Sequence, residues 1–254
     1  MPFTLSHIIL APPLARLSQR HLPVAALAMG CMVPDLIRLF IQDENTTTHL
    51  WSSLMYPNLF IGLGFTALWY FIYRPAFYRF LGLQHPLNIQ GLTSALRFLL
   101  AVILSILIGN ATHLIWDGLT HTDYRTFAFY EVLSQPVMLL GHMYPLHLLL
   151  QMASSIIPLP ILAWMGWHYY QQHCQHFPVS AAIKHYFYRL MVLASALGLF
   201  VLRNYVRHIP SEIWATNPYF YIGRSINIFM QGWLIIITLG CLLFLFLQHK
   251  RRIN

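Results

Sequence analysis

The sequence predicts an all-α, polytopic membrane protein: a bundle of about five spanning helices preceded by two short or broken N-terminal helices. Three observations predict it. Charged side chains are 9% of the 254 residues, against about 25% in soluble globular chains. Hydrophobic residues make up 57%, and mean hydropathy is +0.57. Five stretches each supply the roughly 20 mostly apolar residues that a spanning helix needs. So few charges cannot coat a soluble surface, and disorder needs the opposite composition. Cys31, Cys174 and Cys241 lie far apart in or beside apolar segments, which excludes a disulfide scaffold.

The elements follow in chain order. Segments 3–18 and 22–42 are apolar but interrupted by Pro12, Pro13, Pro23 and Pro34. Arg16, Arg20, Asp35 and Arg38 sit within or beside them. They are expected as short helices of a 1–53 region packed on the bundle, not as further spans. The five spans are expected at 54–73, 94–117, 146–167, 186–204 and 226–248, within 54–248. Pro158 and Pro160 should kink the third, which a membrane helix tolerates when neighbours re-satisfy its backbone. No basic stretch precedes the first apolar segment, so no cleavable signal peptide is expected. Residues 1–254 read as a single integral membrane domain.

The formal charge of +8 and pI near 9.6 do not point to nucleic acid. The basic residues scatter at segment ends, as Lys and Arg do around membrane helices. Membrane lipids are the expected partners. Arg74, Arg79, Lys184 and the run Lys250, Arg251, Arg252 fall on one side, expected to be cytoplasmic. Arg125, Arg203, Arg207 and Arg224 fall on the other.

Seven acids stand against 14 histidines. Asp43, Glu44, Asp123, Glu131 and Glu212 fall in loops. Asp35 and Asp117 alone lie in apolar helical frames, where an unpaired carboxylate costs several kcal/mol. Each therefore needs a cation, an arginine or a hydrogen-bond network. His49 precedes the first span, while His113 and Asp117 end the second. Consecutive spans run antiparallel, so these residues meet at one membrane surface. His147 and Gln151 open the third span at that surface, and the 118–145 loop adds His121 and His142. His113 and Asp117 stand at i and i+4, on one helix face. An imidazole and a carboxylate so placed can hold a divalent metal, with zinc the first candidate and manganese or iron the others. Plainer readings stand beside this one. Asp35 can pair with Arg38, Asp117 can pair with Arg125 or cap its helix, and a lone histidine in an apolar helix can be a packing residue. His168, His173 and His176 in WHYYQQHCQH fit no tight metal motif.

The phrases MPFTLSH, GCMVPDLIR, THLIWDGLTH and LLLQMASS resemble the bacterial membrane proteins grouped as domain of unknown function 4184. That group is distantly similar to inner-membrane metal-dependent hydrolases of the LexA-regulated type. Those share an early His, a P-D phrase, a T-H phrase and a late H-x-x-x-D phrase. The matching positions here are His7, Asp35, His49, His113 and Asp117. Leu36, Ile37 and Thr-His-Leu stand where the hydrolases carry further polar residues. The resemblance implies a bacterial inner-membrane location, a divalent-metal site at those five residues, and hydrolysis. His121 or His147 would serve as general acid or base. Position at the membrane surface suggests a lipid-linked phosphoester or ester as substrate. A non-catalytic metal-binding or transport protein, or a purely structural polar cluster, are the alternatives. The five-residue site requires His7 within about 12 Å of Asp117, given metal–ligand bonds near 2.0–2.2 Å.

Overall fold

The computed structural model describes residues 4–41, 47–175 and 178–250. Asp43, Glu44, His176, Arg251 and Arg252 lie outside the described residues, and with them the loop and anchor readings made for those positions. Among the described residues, five helices are long and apolar enough to cross a membrane: Trp51–Leu81, Leu92–Thr120, Leu146–His173, Ala181–Val206 and Pro218–His249. Each overlaps one expected span. All five run longer, because polar and aromatic residues at the ends keep helical geometry although they add little hydropathy. Among the described residues the fold is all-α apart from one small hairpin.

The N-terminal region is broken where the prolines predict. A 3₁₀ segment, Thr4–Leu10, runs into α1 (Ala11–Leu17), whose first turn holds Pro12 and Pro13. Proline fits there because the first N–H groups of a helix have no intrahelical acceptor. Gln19 and Arg20 then take positive φ, and α2 (Val24–Leu36) starts after Pro23. Neither α1 nor α2 is among the candidate spans.

The first span is assembled from pieces. Two short turns, Trp51–Ser53 and Leu54–Asn58, lead into α3 (Leu59–Leu68), a wide turn at Trp69–Tyr73, and α4 (Arg74–Leu81). Gly82 closes α4 in the left-handed conformation, as helix-ending glycines do. The second span is the continuous α5 (Leu92–Thr120). It runs through Gly118, and His121 is the first residue beyond it. The connection that follows is not structureless: it contains α6 (Tyr130–Ser134) and an antiparallel hairpin, β1 (Pro136–Leu139) with β2 (His142–Pro145). The third span is α7 (Leu146–Ile156) and α8 (Pro158–His173), divided at the expected proline. Then come α9 (Ala181–Val206), the short α10 (Ser211–Thr216) and α11 (Pro218–His249).

The chain packs as two compact units. The first comprises Met1–Ile37, Ile41–Thr66 and Asn88–Gly166. Its centre is the crossing of α2 and α5, where backbones touch. A methyl group added at Gly30 would stand 2.4 Å from the Ile106 carbonyl oxygen, and one at Gly109 would stand 2.4 Å from the Leu27 carbonyl oxygen. Small residues permit such approach, which is how membrane helices gain packing without a hydrophobic drive between them. The second unit comprises Arg38–Phe40, Ala67–Leu87 and Trp167–Asn254. Its core joins Ala76 and Phe80 to Leu190, Ala194, Ile237 and Phe244. Gly198, Gly232 and Gly240 let α9 and α11 approach closely.

Candidate metal centre

All five residues matched on the sequence come together in the first unit. Each is at least 95% buried. His7 Nε2 lies 4.0 Å from Asp117 Oδ1, well inside the limit the five-residue site requires. His49 Nε2 lies 3.2 Å from Asp35 Oδ1 and 3.7 Å from Asp117 Oδ2. His113 Nε2 lies 3.6 Å from Asp117 Oδ2. The His7 and His113 rings stack with centroids 3.9 Å apart.

Local folding explains each placement. His113 and Asp117 share a face of α5 in its last two turns. The α2–α5 contact sets Asp35 opposite them and brings the Cys31 carbonyl within 2.7 Å of His113 Nδ1. His49 ends a 3₁₀ turn, Thr47–His49. The Thr48 hydroxyl ties that turn to α2 by donating to the Pro34 carbonyl at 2.8 Å, one of the last four carbonyls of a helix, which lack partners within it. The Asn58 amide donates to Thr48 O at 2.8 Å, holding the turn from the other side. His7 is carried on the segment Thr4–Leu10, whose Ser6 hydroxyl donates to Ser155 O. Thr4 donates to Asp35 Oδ2 at 3.0 Å.

The hydrogen bonds fix where the protons are. Cys31 O only accepts, so His113 Nδ1 carries the proton, and in the neutral ring Nε2 turns a lone pair toward Asp117. Thr48 spends its proton on Pro34, so His49 Nδ1, 3.3 Å from Thr48 Oγ1, also carries one. The neutral His49 ring then aims a lone pair at both carboxylates. Acceptor facing acceptor at these distances is unfavourable unless a cation, a proton or a metal ion, lies between them. His7 Nε2, His113 Nε2, His121 Nε2 and Asp117 Oδ1 are buried with no hydrogen-bond partner, although buried polar atoms are nearly always satisfied.

Two groups of three have ligand atoms within 4.8 Å of one another: His7, Asp35 and His113, and His49, His113 and Asp117. Both use His113. Its Nδ1 is committed to Cys31, so its single remaining lone pair can serve one ion only. The two groups are therefore alternative or combined ligand sets for one site. Ligand atoms around a tetrahedral ion stand roughly 3.3–3.6 Å apart, close to several of the spacings found here. A ring nitrogen held by a carbonyl while the other faces the ligand pocket is the usual outer support of a metal-bound histidine. The residues thus fit a divalent ion.

His121 and Arg125 border the cluster. His121 Nδ1 lies 3.0 Å from the Asp117 carbonyl oxygen and 3.7 Å from Asp117 Oδ1. Arg125 donates from Nη1 to Asp117 Oδ2 at 3.1 Å and from Nε to Asp123 Oδ1 at 2.9 Å. Its second terminal nitrogen contacts Asp123 Oδ2. The pairing of Asp117 with Arg125, one of the plainer readings of the sequence, is thus present together with the histidine cluster. Burial lowers the His7 pKa to about 3. Burial, reinforced by Arg125, lowers that of His121 to about 4. Both rings are neutral near pH 7. Burial opposes ionisation of Asp123, but its bonds to Arg125 prevail and bring it to about 2.

His147 is placed differently. Its Nδ1 lies 3.2 Å from the Leu133 carbonyl oxygen, and it belongs to neither ligand group. Gln151 is buried and donates to Thr120 O at 2.9 Å, bracing the end of α5. Thr4, Thr48, Arg125 and the Cys31 carbonyl were not among the expected site residues. Thr48 had a faint signal, as the residue before His49, whereas a backbone carbonyl has none. A cleft lined by Ser6, His7, Ile9, Leu10, Trp116 and Ser154 reaches one edge of the cluster.

The family model described as "Domain of unknown function (DUF4184)" matches residues 1–244. No curated protein and no solved structure matches the chain.

Proposed function

Because the chain belongs to the DUF4184 family, whose description assigns no function, we propose its activity from the cluster alone: a divalent-metal-dependent hydrolase at the membrane surface. His7, Asp35, His49, His113 and Asp117 hold one ion, with zinc the first candidate and manganese or iron the others. The substrate is a lipid-linked phosphoester or ester. The observation that carries this reading is the pair of buried imidazole nitrogens, His7 Nε2 and His113 Nε2, that have no hydrogen-bond partner and face Asp35 and Asp117. A divalent ion there supplies Lewis acidity, polarising a phosphoryl or acyl oxygen and acidifying water.

The chain's own residues supply the rest. Cys31 O and Thr48 hold two imidazoles in the tautomer that faces the pocket. His121, neutral and with Nε2 unpartnered, accepts a proton as general base. Its position, rather than that of His147, suits it to this role. Arg125 supplies positive charge beside Asp117, where a phosphoryl oxygen would find a donor.

Depth supports a surface site. The 29 residues of α5 measure about 43 Å at 1.5 Å per residue, against a hydrocarbon core of about 30 Å. Asp117 and His113 lie one and two turns from its end, at the edge of that core. A transport pathway needs polar groups near the midplane, so a single-ended cluster favours hydrolysis over transport. Non-catalytic metal binding is the second reading, favoured by the Arg125 ion pair that already occupies one Asp117 oxygen.

The test is a hydrolysis screen with protein in detergent, using phosphatidate, undecaprenyl diphosphate and acyl-ester lipids. Turnover that a chelator abolishes and one added metal restores is expected. Stoichiometric metal with no turnover on any of them would move the assignment to a binding protein.

A further inference from the structure

The connection between the second and third spans carries a surface that the metal cluster does not use. From Val132 to Pro145 there are fourteen residues without Asp, Glu, Lys or Arg. They form the end of α6 and the β1–β2 hairpin. Among the described residues the two strands pair only with each other, and a lone two-stranded hairpin is at best marginally stable in water. Its turn is built by Leu140 and Gly141, both at positive φ. Leu140 at the tip is 92% exposed, and Met138, Leu139 and Met143 are each more than 45% exposed. Strand side chains alternate between two faces: here one face carries Pro136, Met138, Met143 and Pro145, and the other Val137, Leu139 and Tyr144 with His142 opposite Leu139 near the turn. A soluble hairpin would keep one face polar.

The approach to the hairpin is aromatic. Tyr124, Phe127, Phe129 and Tyr130 are each at least half exposed, and Tyr144 lies on β2. Tyrosine is enriched at membrane–water interfaces, and exposed phenylalanine is a side chain that interfacial elements bury in the lipid boundary. The hairpin is continuous with a surface already facing lipid. β2 passes directly into α7, where Met152, Ile156 and Ile157 are exposed on a spanning helix.

We propose that the 124–145 connection is an interfacial element whose hairpin tip, Leu139–Leu140, inserts into the lipid leaflet bordering the His/Asp cluster. The occupant of this surface is the bilayer itself. Aromatic rings sit at headgroup level, and Met138, Leu140 and Met143 reach the acyl region. The same connection is bonded to the cluster through Arg125 on Asp117 and through the Thr126 hydroxyl on the His121 carbonyl. The inserted element is therefore tied directly to the cluster. The inference rests on the spanning helices and not on the hydrolase reading, so each can fail alone.

The experiment places a nitroxide at Leu140→Cys in full-length protein, in nanodiscs of phosphatidylethanolamine and phosphatidylglycerol. Cys31 and Cys241 are buried and stay, while Cys174→Ser removes the part-exposed thiol. Reference labels go at Leu104→Cys, 52% exposed on α5, and at Glu212→Cys, exposed in α10. Collision with oxygen and with a water-soluble nickel chelate is measured at each. Nickel accessibility at position 140 is expected about fivefold or more below position 212, with high oxygen accessibility as at 104. Nickel accessibility equal to that at 212 would place the hairpin in water and overturn the proposal. Shielding from both reagents, or broadening by a label on a second copy, would show a protein occupant and overturn it equally. Leu140→Cys alters a side chain with almost no protein contact, and size-exclusion elution unchanged from wild type confirms the fold.

Discussion

The α2–α5 contact makes a demanding prediction, because the same contact that packs the first unit also sets the ligand geometry. In Gly109→Ala the new methyl group would meet Leu27 O at 2.4 Å and Cys31 N at 2.7 Å. Both are backbone atoms inside α2, so no rotamer change relieves the clash. Ordinary contact begins near 3.4 Å, so the helices must part by about 1 Å. That displacement stretches the 2.7 Å bond from His113 to Cys31 O to about 3.7 Å, beyond hydrogen-bond range. Overpacking costs about 1–3 kcal/mol, and a broken buried hydrogen bond costs about 1–3 kcal/mol more. The expected loss is therefore about 2–6 kcal/mol, read as a lower melting temperature in detergent. Metal affinity should fall as well, because Asp35 on α2 moves away from His113 and Asp117 on α5. Gly64→Ala is the control: nothing lies within 4 Å of its added methyl, and alanine favours the helix. If Gly109→Ala and Gly64→Ala melt together and bind metal alike, the crossing does not set the site.

Three further outcomes follow from the same geometry. Thr48→Val keeps the shape of the turn but removes the hydroxyl that orients His49; metal affinity should drop about 10–100-fold, with Thr48→Ser restoring it, as read by competition with a chromophoric chelator. Arg125→Met removes a cation 3.1 Å from Asp117; the metal-free protein should melt lower than wild type, and added zinc should raise its melting temperature more than it raises that of wild type. His121 is held near 4, below the ordinary value of about 6.5 for an unfolded chain. The unfolded chain takes up a proton that the folded one refuses, so stability present above about pH 6.5 is lost as pH falls toward 4. About 2 kcal/mol should go between pH 7 and pH 5, and His121→Gln should lose correspondingly less in a melt at each pH.

Hydropathy located the spans because lipid-facing and core residues of a membrane helix are both apolar, so the signal does not depend on tertiary partners. It placed ends less well. The turns Trp51–Ser53 and α4 (Arg74–Leu81) carry polar and aromatic residues that add helix without adding hydropathy. Prolines 12, 13, 23 and 34 announced the broken N-terminal region for a covalent reason, the missing N–H. The close set of His7, Asp35, His49, His113 and Asp117 came from matched phrases together with antiparallel span order. Spacing alone linked only His113 to Asp117. The hairpin escaped notice, since a four-residue strand such as PVML has no period that separates it from an apolar loop. The Cys31 carbonyl was illegible because a backbone acceptor leaves no mark on residue identity. His147 was grouped with the site from its place at the start of a span, yet its ring engages Leu133 O. Surface-level proximity does not fix side-chain direction.

The central claim is that the His/Asp cluster holds one divalent ion. Metal content of the purified, detergent-solubilised protein tests it most directly, alongside His113→Gln and Asp117→Asn. Size-exclusion elution and helical circular dichroism of both variants serve as the check on folding. About one equivalent of a transition metal per chain is predicted for the wild type, falling to trace levels in both folded variants. The same trace amount in all three proteins would contradict the claim and leave a cluster neutralised by protons and Arg125 alone.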